Sequence, residues 1–353
     1  MTKIDYFPVH LEVERGDQPS VERRWRTGYL GYFALATAAL LAMIAIILPS
    51  YVADRLIKFP GQVRQVTIAS GTGTMADLDL LLQGRLHVEH NVPIRLSTLV
   101  TTVGPTDSET VTLRVTQQST RLDRSGRDSL LDALVDQVSM NRTTGAARRS
   151  PALTVFEPGQ RPLETVRDAL QYKFPFDTGR HDYPYFDVIS QQETRLRYVD
   201  EATVRAGLRL LHFRADINPV ELSGLLPTRG RLTLPARMTG RTGDEESVTM
   251  SLYYSATRDL WVDPVTGAII VVSEHQRRYL ATAIADPAPV TVFEGNLRFD
   301  EQTIDEMISQ SQAARERIAA LRTYGPVAAA ITAMVALAFG VRRLTASRRR
   351  AVR

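Results

Sequence analysis

The 353-residue sequence contains no cysteine. Disulfides, thiolate metal sites and cysteine nucleophiles are therefore excluded, and any folded domain must rely on its core and hydrogen bonds. Familiar catalytic signatures are missing as well. There is no G-x-S-x-G nucleophile elbow, no phosphate-binding G-x-x-x-x-G-K-[ST] loop and no H-E-x-x-H zinc helix. The glycines of "GTGTMADLD", Gly71 and Gly73, do not form a dinucleotide fingerprint. Histidine occurs six times. Its one cluster, His87-Val88-Glu89-His90, would put the two imidazoles on opposite faces of a strand, which suits a polar edge better than a metal centre. Asp177, Asp182 and Asp187 recur at a spacing that matches no EF-hand loop. The expectation is a protein with no metal, no cofactor and no enzymatic activity. A broad basic surface is also lacking. The net charge of +4 comes from the last twelve residues, which hold six arginines and no acid. The rest of the chain is close to neutral or slightly acidic, so nucleic acid is not an expected partner.

Two long uncharged runs are present. The first extends from Thr27 to Ala53 and the second from Thr323 to Val341. About 20 apolar residues span a bilayer as a helix, so both are read as transmembrane helices. Arg23, Arg24 and Arg26 precede the first, and Arg342, Arg343, Arg348, Arg349, Arg350 and Arg353 follow the second. Basic residues collect on the cytoplasmic side. Both termini are therefore expected in the cytoplasm of a multi-pass inner (plasma) membrane protein. The first run is too long for a signal-peptide core and lacks an A-x-A-like site after it. The arginine tail is suited to anionic inner-leaflet lipid.

Between the runs the pattern is mostly that of strands. "SETVTLRVTQQSTRLD" alternates Val111, Leu113 and Val115 with polar partners. "SVTMSLYYSATRDLWV" and "IIVVSEHQRRYL" flank "DPVTGAI" as a hairpin. The turn has an echo in "NRTTGAA", so Asn141–Ala147 and Asp263–Ile269 share [ND]-x-x-T-G-A, with a glycine placed for positive φ. After Asp300, Ile304, Met307, Ile308, Ile318 and Leu321 lie at helical spacing on a polar background, and Gly325–Pro326 marks a kink. The fold class expected is a membrane-anchored α+β protein. It has a cytoplasmic tail (1–26), transmembrane helix (27–53), mostly antiparallel β extracytoplasmic domain (54–299), juxtamembrane amphipathic helix (300–322), transmembrane helix (323–341) and basic cytoplasmic tail (342–353).

One segment concentrates rings. "YKFPFDTGRHDYPYFD" holds Tyr172, Phe174, Phe176, Tyr183, Tyr185 and Phe186 in a chain that is only 7% aromatic. Proline-stiffened rings give apolar contact area at low entropy cost. They are read as a candidate ligand-binding lip for an amphipathic lipid or glycolipid, with Arg180 and His181 meeting a sugar or head group. Two other readings are open: a contact surface for a protein partner, or a loop packed onto the sheet.

The same block carries a resemblance. "YKFPFDTGRHDYPYFD", "LWVDPVTGAIIVVSEHQ" and the earlier "LIKFPGQVRQVTIASGTGTMADLD" are similar to an actinobacterial PorA-like envelope family, which includes a mycobacterial polar growth factor. The resemblance runs from about residue 30 to residue 345. It implies a periplasmic domain on two helices, engaged in cell-envelope assembly and polar growth. It also implies a mycolate glycolipid such as trehalose monomycolate as ligand, and an RND-type lipid transporter as partner. The alternative role it implies is an accessory scaffold that contacts such a transporter without binding lipid. It supplies no catalytic residues. The porin label attached to the family fits poorly with a chain that spends its apolar runs on two helices, since porins cross with strands.

Overall fold

The computed structural model describes residues 21–157, 159–239 and 247–351. Helix α1 (Val21–Ile47) passes through a π-helical turn at Leu48–Val52 into the short α2 (Ala53–Leu56). Then come β1 (Arg64–Ala76), α3 (Leu78–Leu82), β2 (Val88–Val103), β3 (Thr110–Arg121), β4 (Leu130–Asn141), β5 (Pro151–Val155), β6 (Leu163–Val166) and β7 (Tyr183–Asp187). These are followed by β8 (Gln192–Thr203), β9 (Arg209–Glu221), β10 (Arg231–Pro235), β11 (Ser247–Val262), β12 (Ile269–Ala281) and β13 (Val290–Phe299). Helix α4 (Glu301–Ala319), a second π turn at Ala320–Tyr324 and α5 (Gly325–Ala351) complete the order.

Helix boundaries depart from the expected ones in a consistent way. Helix α1 begins at Val21, so the last residues of the expected polar tail are helical, and α5 runs to Ala351 through most of the expected basic tail. Arginine, alanine and leucine are strong helix formers, and nothing in either stretch stops a helix where the apolar run ends. Pro49 lies inside the first π turn, and Pro326 follows the second. The Pro326 ring crowds the turn before it, and one extra residue in that turn relieves it. The remaining tail, residues 1–20, lies outside the described residues.

Ile57–Arg317 form one compact unit, and the two terminal helical stretches form a second. In the helical unit, α1 and α5 pack against each other. The seam uses small residues. Ala34, Ala38, Ala53 and Ala333 are buried. A Cβ placed on Gly340 would stand 3.0 Å from Leu35 and 3.1 Å from the Gly31 carbonyl, and one on Gly31 would stand 2.9 Å from Leu344. Small residues let backbones approach this closely. Away from the seam the helices are apolar and exposed, at Leu40, Met43, Ile46, Ile331, Met334 and Val335 among others. Each is long and apolar enough to cross a membrane. Exposed Tyr29 and Tyr51 bracket the apolar part of α1, about 33 Å apart along the axis at 1.5 Å per residue, close to the thickness of a hydrocarbon core.

The larger unit is a 13-stranded antiparallel sheet in the order β6-β5-β4-β3-β2-β1-β13-β12-β11-β9-β8-β7, with β10 beside β11. Strand β11 shows the alternation that builds it. Val248, Met250, Leu252, Tyr254, Ala256, Leu260 and Val262 are buried, while Thr249 is exposed and Ser255, Thr257 and Asp259 are half-buried. Arg114, Gln118, Arg197, Arg214, Asp216, His275 and Asn296 mark the outward face of neighbouring strands. Val66, Val166, Val199 and Leu130 stand singly among these polar positions.

The last strand of the order, β7, connects back to β4 through the intervening segments. Leu170 bridges Tyr185 of β7 and Ala146, and Ala147 bridges Met140 of β4. The Leu170 N–H donates to Pro184 and the Phe186 N–H donates back to Leu170. Pairing therefore runs around the unit without a free edge between β7 and β4. Helix α4 is stapled to the outside. Ile304 and Ile308 pack with Leu208, Leu210, Ile270 and Val271, and Asp300 caps the helix by accepting from the Thr303 N–H at 2.8 Å.

Candidate functional site

The two echoing turns are the same structure built twice. In the first, the Asn141 Oδ1 accepts from the Thr143 and Thr144 N–H groups, and the Gly145 N–H donates to the Asn141 carbonyl at 2.9 Å. In the second, the Asp263 Oδ1 accepts from the Val265 N–H, and the Gly267 N–H donates to the Asp263 carbonyl at 2.8 Å. The Ala146 N–H donates to the Thr144 hydroxyl, as the Ala268 N–H does to that of Thr266. Asx-turn chemistry explains why Asn or Asp leads the motif, and Gly145 and Gly267 take the positive φ of 73° and 69° that ends it.

Between these turns lies the start of the aromatic segment. The Phe174 N–H donates to the Gly267 carbonyl at 3.0 Å, and the Thr178 N–H donates to Pro264 at 2.7 Å. From the other turn, the Phe176 N–H reaches the Thr143 carbonyl at 3.4 Å. A Cβ on Gly145 would stand 2.4 Å from the Lys173 carbonyl, and one on Gly267 would stand 2.2 Å from that of Phe174. The glycines are thus required for approach as well as for φ. The clamp is tied to α4 as well: the buried Asp263 carboxylate accepts from Thr266, Ser311 and Arg315. Burial alone would raise that carboxyl, but hydrogen bonds from Arg315, Ser311, Thr266 and the Val265 N–H outweigh it and hold it below the usual carboxylate range.

The rings turn mostly inward. Phe174, Tyr183, Tyr185 and Phe186 are buried, Tyr172 and Phe176 are half-buried, and Arg180 and His181 are exposed. Phe174 meets Tyr183 edge-on at 5.4 Å and Phe213 at 4.9 Å. Tyr183 accepts from the Gly179 N–H, and His181 sits 4.2 Å from its ring. Arg180 pairs with Glu201. The eight residues named from sequence are therefore one contiguous feature, but four of the six rings belong to the domain core. Lys173 is buried with them. Its Nζ donates to the Phe174 carbonyl at 2.6 Å and lies 3.8 Å from the centre of the Phe176 ring. Burial pushes this lysine down to about 7, against the opposing pull of Asp263.

Beneath the segment the inward face carries ion pairs that the sequence reading missed. Arg167 forks onto Asp136 with contacts of 2.9 and 2.8 Å, and Thr154, Gln171 and Tyr172 complete the group. Both charges are fully buried. Arg258 joins Asp187 at 3.0 Å and Glu274 at 3.0 Å, and it also donates to the Tyr185 hydroxyl. Asp132 of β4 takes Arg278 of β12 at 2.8 Å and Arg229 at 3.0 Å, linking the two halves of the sheet. The available signal was a charge at an inward position of an alternating strand: Asp136 stands between Leu134 and Val138, and Arg258 between Ala256 and Leu260. Asp187, one of the three evenly spaced aspartates, is spent on Arg258 and the Ser190 N–H.

Among the described residues no cluster of His, Asp or Glu is placed to hold a metal ion. Glu89 of the "HVEH" run pairs with Arg121 and Arg124, and His90 contacts Thr74. On the outward face, His212 has Asp259 at 2.6 Å on Nε2 and Asp200 at 3.1 Å on Nδ1, and it stacks on Trp261 at 4.5 Å. Both ring nitrogens are engaged by carboxylates, which leaves none to activate a hydroxyl. The site can grip backbone and bury rings.

Comparison with known proteins agrees with a shared architecture along nearly the whole chain. The family profile described as Porin PorA matches residues 30–342. A Porin PorA of Corynebacterium amycolatum is 23% identical over 378 aligned residues, covering 89% of this chain and 97% of that protein. A Porin PorA of Corynebacterium resistens is 27% identical over 304 residues, covering 66% of this chain and 72% of its own. The profile match takes in the first apolar helix, the aromatic clamp, both echoing turns and most of the last helix, and on this extent the chain belongs to the PorA porin family of envelope proteins.

Proposed function

We propose that the chain is a non-enzymatic envelope membrane protein held in the bilayer by its helix pair. Its β domain stands in water and acts as a scaffold for envelope-assembly partners. The supporting observation is the distribution of exposed apolar surface. It is continuous on α1 and α5, whereas the outward strand positions are polar with a few isolated exceptions. A strand-built pore requires the opposite alternation, apolar outward and polar inward. The relatives' name, porin, describes a channel. In this reading the β domain of the present chain does not cross the membrane.

The test uses the full-length chain in liposomes and planar bilayers. The expected result is no stepwise conductance, with added protease removing the β domain from one side while the helix pair stays protected. Stepwise conductance together with protease-resistant strands refutes the proposal.

A second reading, binding of an envelope glycolipid, is favoured by one observation. Arg180, paired with Glu201, and His181, against the Tyr183 ring, are both exposed at the surface. Under this reading the buried rings support the loop, and those two side chains meet a head group. Mass spectrometry of lipid retained by the purified chain separates the readings. Retained glycolipid that is lost on Arg180→Gln with His181→Ala supports binding, and an empty chain supports the scaffold.

A further inference from the structure

Helix α5 carries no acidic residue anywhere along its length. The apolar stretch Thr323–Val341, whose first two residues end the π turn, is about 28 Å long at 1.5 Å per residue, close to the ~30 Å hydrocarbon core. Arg342 and Arg343 follow at once, and Arg348 and Arg349 come within two further turns; all four are exposed. None of them makes an ion pair among the described residues, and Arg343 lies over the Phe339 ring at 5.2 Å.

The placement is directional. Successive residues turn by about 100°, so Arg342 and Arg349 fall within about 20° of each other and Arg343 lies about 100° round. Ala333, Gly340 and Leu344, which face α1 at the seam, lie about 160–200° from Arg342. Arg342 and Arg349 therefore point away from the partner helix, toward whatever surrounds the pair, and Arg343 flanks the seam at about 60–100° from its residues. Guanidinium groups that begin where the hydrocarbon ends stand at phosphate level, and their fork geometry suits phosphate oxygens. Basic residues at this depth are drawn to anionic lipid. A nucleic acid would have to reach its first two arginines at the bilayer interface, which disfavours it.

We propose that Arg342, Arg343 and Arg349 form a binding site for the headgroup of anionic phospholipid. The proposal rests on the membrane placement of the helix pair, and the test separates the two. Full-length chain is first floated with vesicles of phosphatidylcholine alone. Failure to float overturns both statements. The chain in mild detergent is then titrated with phosphatidylglycerol or phosphatidylcholine, and occupancy is read by native mass spectrometry. The acidic lipid is expected to bind more tightly. The triple variant Arg342→Gln, Arg343→Gln, Arg349→Gln should weaken it roughly 100-fold while leaving flotation unchanged. The triple Lys variant should retain most of the charge-driven affinity and lose the part due to the fork. Equal affinity for the two lipids, or an unchanged Gln variant, overturns the proposal. So does tighter binding of a short RNA than of phosphatidylglycerol vesicles.

Discussion

Replacing Lys173 with methionine probes the clamp at its most costly residue. The lysine is 5% exposed and its ammonium is pushed down to about 7 by burial. An unfolded chain carries an ordinary lysine, which titrates near 10.4. Between pH 7 and that value the unfolded state binds more protons than the folded one, so stability rises with pH across this window and is flat below it. At pH 7 the penalty to the fold is about 4 kcal/mol, and by pH 9.5 it has fallen to between about 1 and 2 kcal/mol. Methionine fills a similar volume without charge. It also deprives the Phe174 carbonyl of its donor, at a cost of about 1–3 kcal/mol. The variant should therefore be more stable than the parent by about 1–3 kcal/mol at pH 7, with the gain vanishing or reversing by pH 9.5. Urea unfolding of the full chain in detergent, followed through Trp261 in the sheet, gives both midpoints. A difference between parent and variant that is the same at pH 7 and pH 9.5 would refute the reasoning, because no proton would then be linked to the burial of this side chain.

Other outcomes follow from the same geometry. Asp136→Asn or Arg167→Met alone should cost about 3–5 kcal/mol in urea unfolding, since each leaves a buried partner charge, and the double apolar replacement should cost less than either. Gly267→Ala should lower stability by more than about 1–3 kcal/mol, because positive φ and a 2.2 Å approach to the Phe174 carbonyl are both violated. Gly126→Ala, with positive φ and no crowding, should show only the smaller backbone cost. Because the chain lacks cysteine, Gly31→Cys with Gly340→Cys gives a clean crosslink across the helix seam. Mild oxidation should shift the full-length chain on a gel within one molecule, and no shift, or a dimer alone, would contradict the pairing of α1 and α5.

The legible parts of this protein were those written as long periodicities. The two apolar runs, the alternation of Val111–Val115, the hairpin turn led by Asp263 and the amphipathic stretch after Asp300 all correspond to observed elements. The repeated T-G-A turn was visible as well, but its purpose was not. A six-residue echo does not say that both copies hold one intervening segment, because that depends on contacts between Gly145, Gly267 and residues 173–178 set by the curl of the sheet. The aromatic block was visible by composition alone. Whether rings face a cavity, water or a core is decided by strand pairing, and Tyr183, Tyr185 and Phe186 are drawn in because β7 pairs with β8 and meets Leu170. Buried pairs such as Asp136 with Arg167 join residues from distant strands and loops, so only the misplaced charge, and not its partner, could be read from the chain.

Strand β1 lies between β2 and β13, near the middle of the sheet, with Gly71 opposite Leu297. The first strand to be synthesised thus waits for the last one before its second edge is satisfied. Contacts of such long sequence separation close slowly, and here they cannot close at all until β13 has been made. A chain cut short after Ala281 would lose an interior strand and not a peripheral one, and would present the unpaired backbone of both β1 and β12. Closure of the sheet is therefore postponed to its last strand, and until that strand arrives two interior edges stay open to mispairing.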